Sequence, residues 1–321
     1  MDSFYASVEM QKNPDLRGKA VIIGADPKEG KGRGVVATAS YEARKYGVRS
    51  AMPISKAYSL CPDGVYLPPN FPLYAKTSAA VMAILRTPGF PSEQVSIDEA
   101  FLDATATGGY HEAEQFAAGL KERILKELGL TCSIGIGPSK VVAKIASDFH
   151  KPDGLTVVPP DQVQEFLAPL AVRKLPGIGP KSEKELIPLG IRTIGDLAAL
   201  DIQVLLAWFG KGGLYLHELA LGNDESEVAE RGGPRSVSRE TTFEEDPDDP
   251  EILEVTMGDL IRDVHRNLIE EGHRFRTVTV KVRYTGFITK TKAKSVAHYT
   301  DDARTVSSFA YALLRELAVG Q

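Results

Sequence analysis

Residues 94–104 read QVSIDEAFLDA and are the most informative segment of the chain. Two short runs of strand character, QVSI at 94–97 and AFLDA at 100–104, flank the adjacent acids Asp98 and Glu99. Strands separated by two residues predict a β-hairpin with both acids at its tip. Like charges crowded at the end of an apolar hairpin favour a bound cation, and oxygen ligands without nearby His or Cys suit Mg²⁺. A solvated acidic turn is the alternative for such a pair taken alone.

Helical and strand patterns surround this hairpin. Helical periodicity covers residues 73–85 and about 112–128, and the alternating TCSIGIG of residues 131–137 predicts a strand. Residues 1–8 are expected to form the end of a first strand. Strand, helix, hairpin, helix and strand give a ferredoxin-like βαββαβ order, with a small α+β segment inserted after the first strand at residues 10–70.

The rest of the chain divides into a helical part and a mixed part. Residues 159–226 contain short helices punctuated by Pro and Gly, which predicts a compact helical domain. Residues 227–234 are polar, with two glycines, and suit a linker. Residues 235–321 predict βαββα, with a strand at 235–243 and a long amphipathic helix after it. The chain is thus expected to be an α+β multidomain protein.

Composition excludes several protein classes. The 321 residues are 43% hydrophobic and 25% charged, as in globular proteins, and no window approaches about 18 consecutive apolar residues. The only cysteines, Cys61 and Cys132, lie in apolar stretches and suit free thiols in the cytoplasm. The first residues do not resemble a signal peptide. The formal net charge of −5 argues against a nucleic-acid partner when it is averaged over the whole chain.

The charge pattern near the carboxyl end reverses that argument. No acidic residue occurs between Glu271 and Asp301. In TVTVKVRY the valines alternate with Thr279, Lys281 and Arg283, so valines and cations face opposite sides of a strand. If the next strand pairs with its lysines on the same face, the two strands form a basic ribbon for phosphate contacts, although a charged solvated face is the usual alternative. The lysines of that second strand are Lys290, Lys292 and Lys294.

Two further patterns suit phosphate groups. Tyr41 and Arg44 lie one helical turn apart near a helix start, with Thr38 just before them, and this face could bind a polyphosphate. Lys151 follows another helix. An Arg lying over apolar surface and a solvated turn lysine are the plainer interpretations, as ordinary core packing is for the aromatic pair Phe4 and Tyr5.

A glycine-rich turn lies in the helical domain. Residues 175–181 read LPGIGPK, and Gly177 and Gly179 let successive backbone N–H groups point toward one anion, with Lys181 next to them. A DNA phosphate is one candidate anion. A tight interhelical turn that needs glycine only for its geometry is the equal alternative.

Together these segments resemble the Y-family DNA polymerases, most closely the DinB-like, DNA polymerase IV type. The resemblance implies a catalytic palm at residues 1–9 and 71–158, fingers at 10–70, a helix-hairpin-helix thumb at 159–226 and a little finger at 235–321. The motifs follow the order of the family and span nearly the whole chain. They are MDSFYASVE, VVATASYEARKYGV, SIDEAFLD, IGIGPSKVVAKIASDFHKPDG, LPGIGPK and RTVTVKVRY.

The resemblance also implies an activity. It is translesion, error-prone DNA synthesis in DNA repair and replication, in which two Mg²⁺ ions assist attack of a primer 3′-hydroxyl on a dNTP and pyrophosphate leaves. Asp98 and Glu99 match the metal ligands and catalytic residues. Tyr5 matches the steric gate against a ribose 2′-hydroxyl, with Phe4 under the sugar. Thr38, Tyr41, Arg44 and Lys151 match the triphosphate contacts. The implied partners are primer–template DNA, dNTP and a sliding clamp, for a cytoplasmic monomer without membrane contact.

One departure from the family pattern concerns the first strand. The family pattern has two Asp residues two positions apart, and the first of them binds metal. Asp2 aligns with the second, so the position of the metal-binding Asp falls before Met1. Asp2 would lie about 7 Å further along the strand, too far to replace it. The expectation is therefore a chain shortened at both ends, which lacks this Asp, the last strand of the little finger and a clamp-binding tail. A catalytically impaired DNA-binding fragment and a nucleotidyl cyclase are the rival interpretations.

Overall fold

The computed structural model describes residues 1–230 and 232–318. The chain forms two compact units, Met1–Arg231 and Gly232–Gln321. Within the described residues, no helix has both the length and the apolar character needed to cross a membrane.

A three-stranded sheet with two short helices follows the first helix of the chain. Its strands are β1 (Val21–Gly24), β2 (Val36–Ala39) and β3 (Val65–Leu67). Their order in the sheet is β2-β1-β3, with β1 antiparallel to β2 and parallel to β3. Apolar side chains of β1, β2 and α3 form its core, among them Ile22, Val36 and Ile54. The helices are α2 (Tyr41–Lys45) and α3 (Ile54–Leu60), after α1 (Phe4–Lys12).

Helices and two small sheets make up the next part of the first unit. Strands β4 and β5 are antiparallel, and β6 and β7 are parallel. Helix α5 buries Leu120 and Ile124 against Val81 and Ile84 of α4, as the predicted apolar stripes require. The elements are α4 (Phe71–Arg86), β4 (Ser92–Gln94), β5 (Ala100–Leu102), α5 (Tyr110–Leu128), β6 (Ile134–Ile136), α6 (Lys140–Phe149) and β7 (Leu155–Val157).

The predicted strand at residues 1–8 is wrong, because α1 begins at Phe4. Ser3 has left-handed backbone geometry with φ of 38°, which turns the chain out of the extended conformation after Asp2. Phe4 and Val8 are four residues apart and both buried, so they share one helical face rather than opposite faces of a strand. Extended pairing is confined to the start, where the Met1 amine donates to Asp98 O (2.7 Å) and the Asp2 amide to Thr131 O (3.2 Å).

A cavity of about 760 Å³ lies beside Met1. Residues of β5 and β6 line it, together with apolar side chains of α4 and α5 such as Val81 and Leu120. Asp98 and Glu99 also line it. The loop that carries Asp98 and Glu99, called the acidic loop below, therefore borders a large, partly apolar opening rather than a flat surface.

Five short helices complete the first unit. They surround a core that includes Leu167, Leu175, Ile194, Leu197 and Leu205, each at most 1% exposed. Helix α9 carries a capping box between Thr193 and Asp196, which satisfies its first amides. The helices are α7 (Val163–Leu167), α8 (Pro180–Leu186), α9 (Ile194–Ala198), α10 (Ile202–Phe209) and α11 (Lys211–Ala220).

The second unit packs two helices on a two-stranded antiparallel sheet. Ile261 of α12, Val278 and Val280 of β8, and Val306 and Leu313 of α13 form its core. The predicted strand at residues 235–243 is wrong: the structure describes all of these residues, and none pairs as a strand. Most of these residues are exposed. Alternation of apolar and polar residues does not by itself form a strand, because a strand also needs a neighbouring strand to accept its hydrogen bonds. The elements are α12 (Pro250–Glu270), β8 (Phe275–Arg283), β9 (Thr289–Thr300) and α13 (Ala303–Ala318).

Candidate active site

The acidic pair lies on a five-residue loop rather than on a two-residue turn. Gln94 pairs with Ala100, so residues 95–99 connect the strands. The Ser96 hydroxyl donates to Asp98 Oδ1 (2.9 Å) and accepts from the Asp98 amide (3.3 Å). The Val95 amide donates to Glu99 O at 2.9 Å. These local bonds widen the loop and fix the direction of the Asp98 carboxylate, which the prediction of a tight turn missed.

Lys144 of α6 supplies a side-chain cation to the loop that carries Asp98 and Glu99. Its Nζ lies 2.9 Å from both carboxylate oxygens of Glu99. Lys144 is not among the residues predicted from the sequence, where its signal is the helical run KVVAK, which does not specify a partner. Lys144 thus contacts both oxygens of the Glu99 carboxylate, as a metal cation could. The acidic loop therefore already accommodates a positive charge.

The donor chemistry of the loop suits Mg²⁺. The ion prefers oxygen ligands and typically takes one or two carboxylates together with substrate phosphates. Asp98 and Glu99 supply such carboxylates at adjacent positions. No group of three or more His, Cys, Asp or Glu side chains within residues 1–230 and 232–318 could hold a metal by itself. The protein groups thus fit a metal site that phosphate oxygens complete.

Tyr5 is held in an aromatic cluster. Its ring stacks on Tyr74 with centroids 4.3 Å apart and an interplanar angle of 11°. The Tyr74 hydroxyl donates to Glu9 Oε1 (2.8 Å), which fixes the supporting ring. Burial, with the charge of Asp98 as a smaller cause, raises the pKa of Tyr5, so this side chain is neutral at neutral pH. Phe4 is 3% exposed and belongs to the core, where it supports Tyr5 at a centroid distance of 5.9 Å.

The segment after β2 brings together the residues expected to bind phosphate. The Arg44 guanidinium lies 4.7 Å from the centroid of the Tyr41 ring, and its Nε donates to Ala39 O at 3.0 Å. Burial and the charge of Asp2 raise the pKa of Tyr41 to about 12, against the lowering effect of Arg44. Tyr41 is therefore a hydroxyl donor at neutral pH. Thr38 is half-buried on β2 opposite Ile23.

Lys151 joins the acidic loop at the same cavity. It lines the 760 Å³ opening with Asp98 and Glu99 and pairs with Asp148 Oδ1 at 2.5 Å. The Asp2 carboxylate links this region to α2, because its Oδ1 lies 3.5 Å from the Tyr41 hydroxyl and its Oδ2 accepts from the amide of Asp153, two residues beyond Lys151. Tyr41 and the turn after Lys151 are therefore neighbours, although they are more than 100 residues apart in sequence.

The LPGIGPK turn has alternating buried and exposed residues. Leu175 and Ile178 are 1% and 6% exposed, whereas Gly177, Gly179 and Lys181 are exposed. Gly177 has φ of +94°, a left-handed conformation that favours glycine. A Cβ on Gly179 would meet no atom within 4 Å, so its backbone lies open to solvent. The buried pair anchors the turn and leaves the glycines and Lys181 available for contacts.

The expected basic ribbon with all its cations on one face is wrong. Directly opposed residues of an antiparallel pair share a face, and the lysines of β9 lie opposite the valines of β8. Lys281 and Arg283 lie opposite Thr291 and Thr289 on the other face. The contradiction arises because alternation within each strand is visible in the sequence, whereas the register between strands is not. The opposed pairs are Val278 with Lys294, Val280 with Lys292 and Val282 with Lys290.

The three β9 lysines lie beside the helices rather than on the free face. Lys292 pairs with Glu316 of α13 at 2.6 Å, and Lys294 Nζ lies 4.5 Å from the Phe309 centroid. Lys290 Nζ lies 5.4 Å from the Tyr284 centroid. The free face of the sheet carries Lys281, which pairs with Glu240, and Arg283. Two basic surfaces therefore exist in the second unit.

Comparisons with known proteins agree with this architecture. Residues 1–148 match the impB/mucB/samB family, residues 160–191 the IMS family HHH motif, and residues 234–321 the C-terminal domain of the impB/mucB/samB family. The chain is 51% identical over 321 residues to DNA polymerase IV of Methanoculleus marisnigri, covering 100% of this chain and 89% of that protein. It is 46% identical to DNA polymerase IV 2 of Methanosarcina mazei, covering 98% and 86%.

Solved structures give the same relationship. A Y-family DNA polymerase chimera, Dbh-Dpo4(243-245)-Dbh, matches with a TM-score of 0.90 and 32% identity, covering 99% of this chain and 92% of that one. An insertion ternary complex of Dbh DNA polymerase matches with a TM-score of 0.68 and 30% identity, covering 100% and 92%. These relatives place the chain among the nucleotidyltransferases. The chain belongs to the Y-family of DNA polymerases and is a DNA-directed DNA polymerase.

Proposed function

We propose that this chain carries out template-directed DNA synthesis of the translesion type, adding dNTP to a primer 3′-hydroxyl with release of pyrophosphate. One observation carries the proposal: Asp98, Glu99 and Lys151 line one cavity, and Tyr5 packs against the same apolar cluster as Ile97, the residue before Asp98. In this proposal the two acids bind metal, Lys151 binds phosphate and the Tyr5 ring contacts the sugar of the incoming nucleotide. Primer extension by the purified chain with Mg²⁺ and dNTPs tests the proposal.

Asp98 and Glu99 would hold the two Mg²⁺ ions together with the phosphates of the nucleotide. When bound, Mg²⁺ supplies electrostatic stabilisation of the attacking and leaving oxygens in the in-line displacement. Asp98 is oriented for this role by Ser96, whose hydroxyl donates to its Oδ1. Glu99 would exchange its contact with Lys144 for the metal, and Lys144 would remain beside the site as a second positive charge.

The nucleotide contacts follow from the positions of the remaining side chains. Arg44 and Tyr41 supply a guanidinium and a neutral hydroxyl donor for the triphosphate, with Thr38 on the preceding strand and Lys151 from the cavity wall. In this proposal the Tyr5 ring excludes a ribose 2′-hydroxyl by steric collision. In this proposal Phe4 contributes by supporting Tyr5, because its own side chain is almost wholly buried.

DNA contacts are proposed for both units. Gly177 and Gly179 would present backbone N–H groups to a phosphate next to Lys181, since all three are exposed. In the second unit, Lys281 and Arg283 would contact DNA phosphates from the free face of the sheet. Lys290, Lys292 and Lys294 would contribute less direct attraction, because they lie on the helix-bearing face.

Neutralising the free face should flatten the salt dependence of DNA binding. Lys281→Gln with Arg283→Gln removes two charges from that face. We expect the log–log slope of affinity against salt to fall by about 0.9 for each DNA phosphate that the variant no longer neutralises. The measurement is the dissociation constant for primer–template DNA by fluorescence anisotropy across a salt series.

A matched variant separates the two basic surfaces. Lys292→Gln with Lys294→Gln changes the net charge equally but acts on the helix-bearing face. Its slope should change less than that of the first variant. An equal or larger change for the second variant would assign DNA contact to the helix-bearing face and contradict the proposal.

Further assignments follow from the same proposal. Work on damaged templates, and hence a role in DNA damage tolerance, would come with the activity of a translesion polymerase. Two buried free thiols, Cys61 and Cys132, suit a cytoplasmic location. We also propose that the protein acts as a monomer that can associate with a sliding clamp, and size-exclusion chromatography with light scattering checks the monomer.

A further inference from the structure

Asp2 is a buried carboxylate with all of its partners in other segments of the chain. Its side chain belongs to a residue that is 2% exposed. Oδ1 accepts from the Ser133 hydroxyl at 2.7 Å and lies 3.5 Å from the Tyr41 hydroxyl, while Oδ2 accepts from the Asp153 amide at 2.9 Å. Both oxygens are therefore committed to protein donors.

These donors belong to parts of the fold that the nucleotide site must hold together. Tyr41 begins α2, Ser133 directly precedes β6, and Asp153 lies in the turn between α6 and β7. They lie 39, 131 and 151 residues from Asp2 in sequence. One carboxylate thus connects the segment after β2 with the wall of the cavity that carries Lys151.

The turn after Lys151 depends on this connection. Asp153 has a left-handed φ of 56°, a conformation that costs energy for a residue other than glycine. The Asp2 carboxylate accepts from its amide, and the Ser133 hydroxyl accepts from the next amide, that of Gly154, at 3.1 Å. Because Ser133 in turn donates to Asp2, the backbone two residues beyond Lys151 has one fixed arrangement.

The same carboxylate orients the Tyr41 side. A tyrosine hydroxyl has one proton to donate, and Asp2 Oδ1 is the side-chain acceptor that lies 3.5 Å from it. The Arg44 guanidinium lies over the Tyr41 ring, so fixing the ring also limits where the guanidinium can lie. The long 3.5 Å contact leaves the hydroxyl able to turn toward a nearby phosphate oxygen.

We propose that Asp2 is a positioning residue for the triphosphate of the incoming nucleotide. It acts by holding Tyr41 and the turn after Lys151 in a fixed position relative to each other. The inference rests on the proposed function, since it assumes that Tyr41, Arg44 and Lys151 bind the nucleotide. It assigns Asp2 to neither metal binding nor chemistry, because its two oxygens are occupied by Ser133, Tyr41 and Asp153.

The test is the affinity of the complementary dNTP for a complex with dideoxy-terminated primer–template in Mg²⁺. Asp2→Asn keeps the shape but has one acceptor oxygen instead of two, so it cannot accept from all three donors. We expect the dNTP dissociation constant to rise about ten-fold, the scale of one lost hydrogen bond to a charged group, with DNA affinity unchanged. Ser133→Ala keeps the Asp2 carboxylate and should also raise the dNTP dissociation constant. This second variant tests the inference if Asp2→Asn does not fold.

Two controls separate positioning from general destabilisation. Glu93→Gln alters a buried carboxylate whose ion pair is with Lys140 rather than with Tyr41, Ser133 or Asp153, and it should leave dNTP affinity unchanged. Tyr41→Phe combined with Asp2→Asn should weaken dNTP binding by less than the product of the two single effects, because both act through one contact.

The outcomes distinguish this inference from the function on which it rests. If the unaltered protein binds no dNTP in the complex, both the proposed function and the inference fail. If it binds dNTP and Asp2→Asn binds it equally well, or if the double variant shows the full product of effects, only the inference is overturned.

Discussion

Asp98→Ala is expected to lower the rate of primer extension by at least about 10³-fold, because metal stabilisation of the transition state is worth several kcal/mol. Asp98 is the carboxylate that Ser96 orients toward the cavity, and we propose that it holds both metal ions. Its loss should leave primer–template affinity nearly unchanged, since the proposed DNA contacts lie elsewhere. The measurement is single-turnover extension together with fluorescence anisotropy of bound DNA.

A matched acid on the same hairpin provides the control. Asp103 follows β5, and its carboxylate accepts from the amide and the hydroxyl of Thr105, an arrangement that Asn can largely keep. Asp103→Asn should therefore extend primers at close to the unaltered rate. Extension retained by Asp98→Ala, or abolished equally in both variants, would mean that the metal site has been misassigned.

Tyr5→Ala is expected to lower discrimination against ribonucleotides by on the order of 10²-fold, the scale on which a pocket distinguishes substrates by one hydroxyl. The Tyr5 ring cannot move away easily, because it stacks on Tyr74 at 4.3 Å and Tyr74 is tied to Glu9. Removing the ring opens room for a 2′-hydroxyl without touching the metal-binding acids. The measurement is the ratio of kcat/KM for a dNTP to that for the matching rNTP.

Tyr5→Phe is the control for this prediction. The ring and its stacking on Tyr74 remain, so the ratio should stay within about two-fold of the unaltered value if bulk alone excludes the ribose. A large loss of discrimination in Tyr5→Phe would assign the effect to the hydroxyl. Unchanged discrimination in Tyr5→Ala would remove Tyr5 from the sugar site.

Local sequence patterns predicted much of the architecture. The apolar stripe of α5 and the amphipathic α12 were predicted because burial of one helical face leaves a periodic record. The acidic hairpin was predicted for a similar reason, since alternating strands flank two adjacent acids. Its loop was wrong in detail because Ser96 competes for backbone and side-chain bonds, and residue types alone do not specify that competition.

Two errors have a common physical origin in long-range pairing. Residues 235–243 alternate as a strand does, but a strand forms only where another edge accepts its hydrogen bonds. The basic ribbon was split between two faces because register is a property of two strands, whereas the sequence shows each strand separately. The first helix was missed because a few residues around Phe4 and Val8 fit alternation and helical spacing equally well.

The candidate site was predicted unevenly. Asp98, Tyr41, Arg44 and Lys151 could be singled out, since charged or hydroxyl groups near helix ends and loops suggest phosphate and metal chemistry. Lys144 and Tyr74 could not, and Asp2 was noted only for its place in the family pattern, because the contacts of these residues are with partners 45, 65 and up to 151 residues away. Such contacts depend on how the elements pack, and no local pattern records them.

The most direct test of the account is template-directed extension by the purified chain itself. A labelled primer annealed to templates with each of the four bases at the next position is incubated with Mg²⁺ and single dNTPs. If the chain is a template-directed polymerase, we expect addition of the complementary nucleotide in each case and no addition without Mg²⁺. Tight binding of the primer–template without extension on any template would contradict it and leave only a DNA-binding protein.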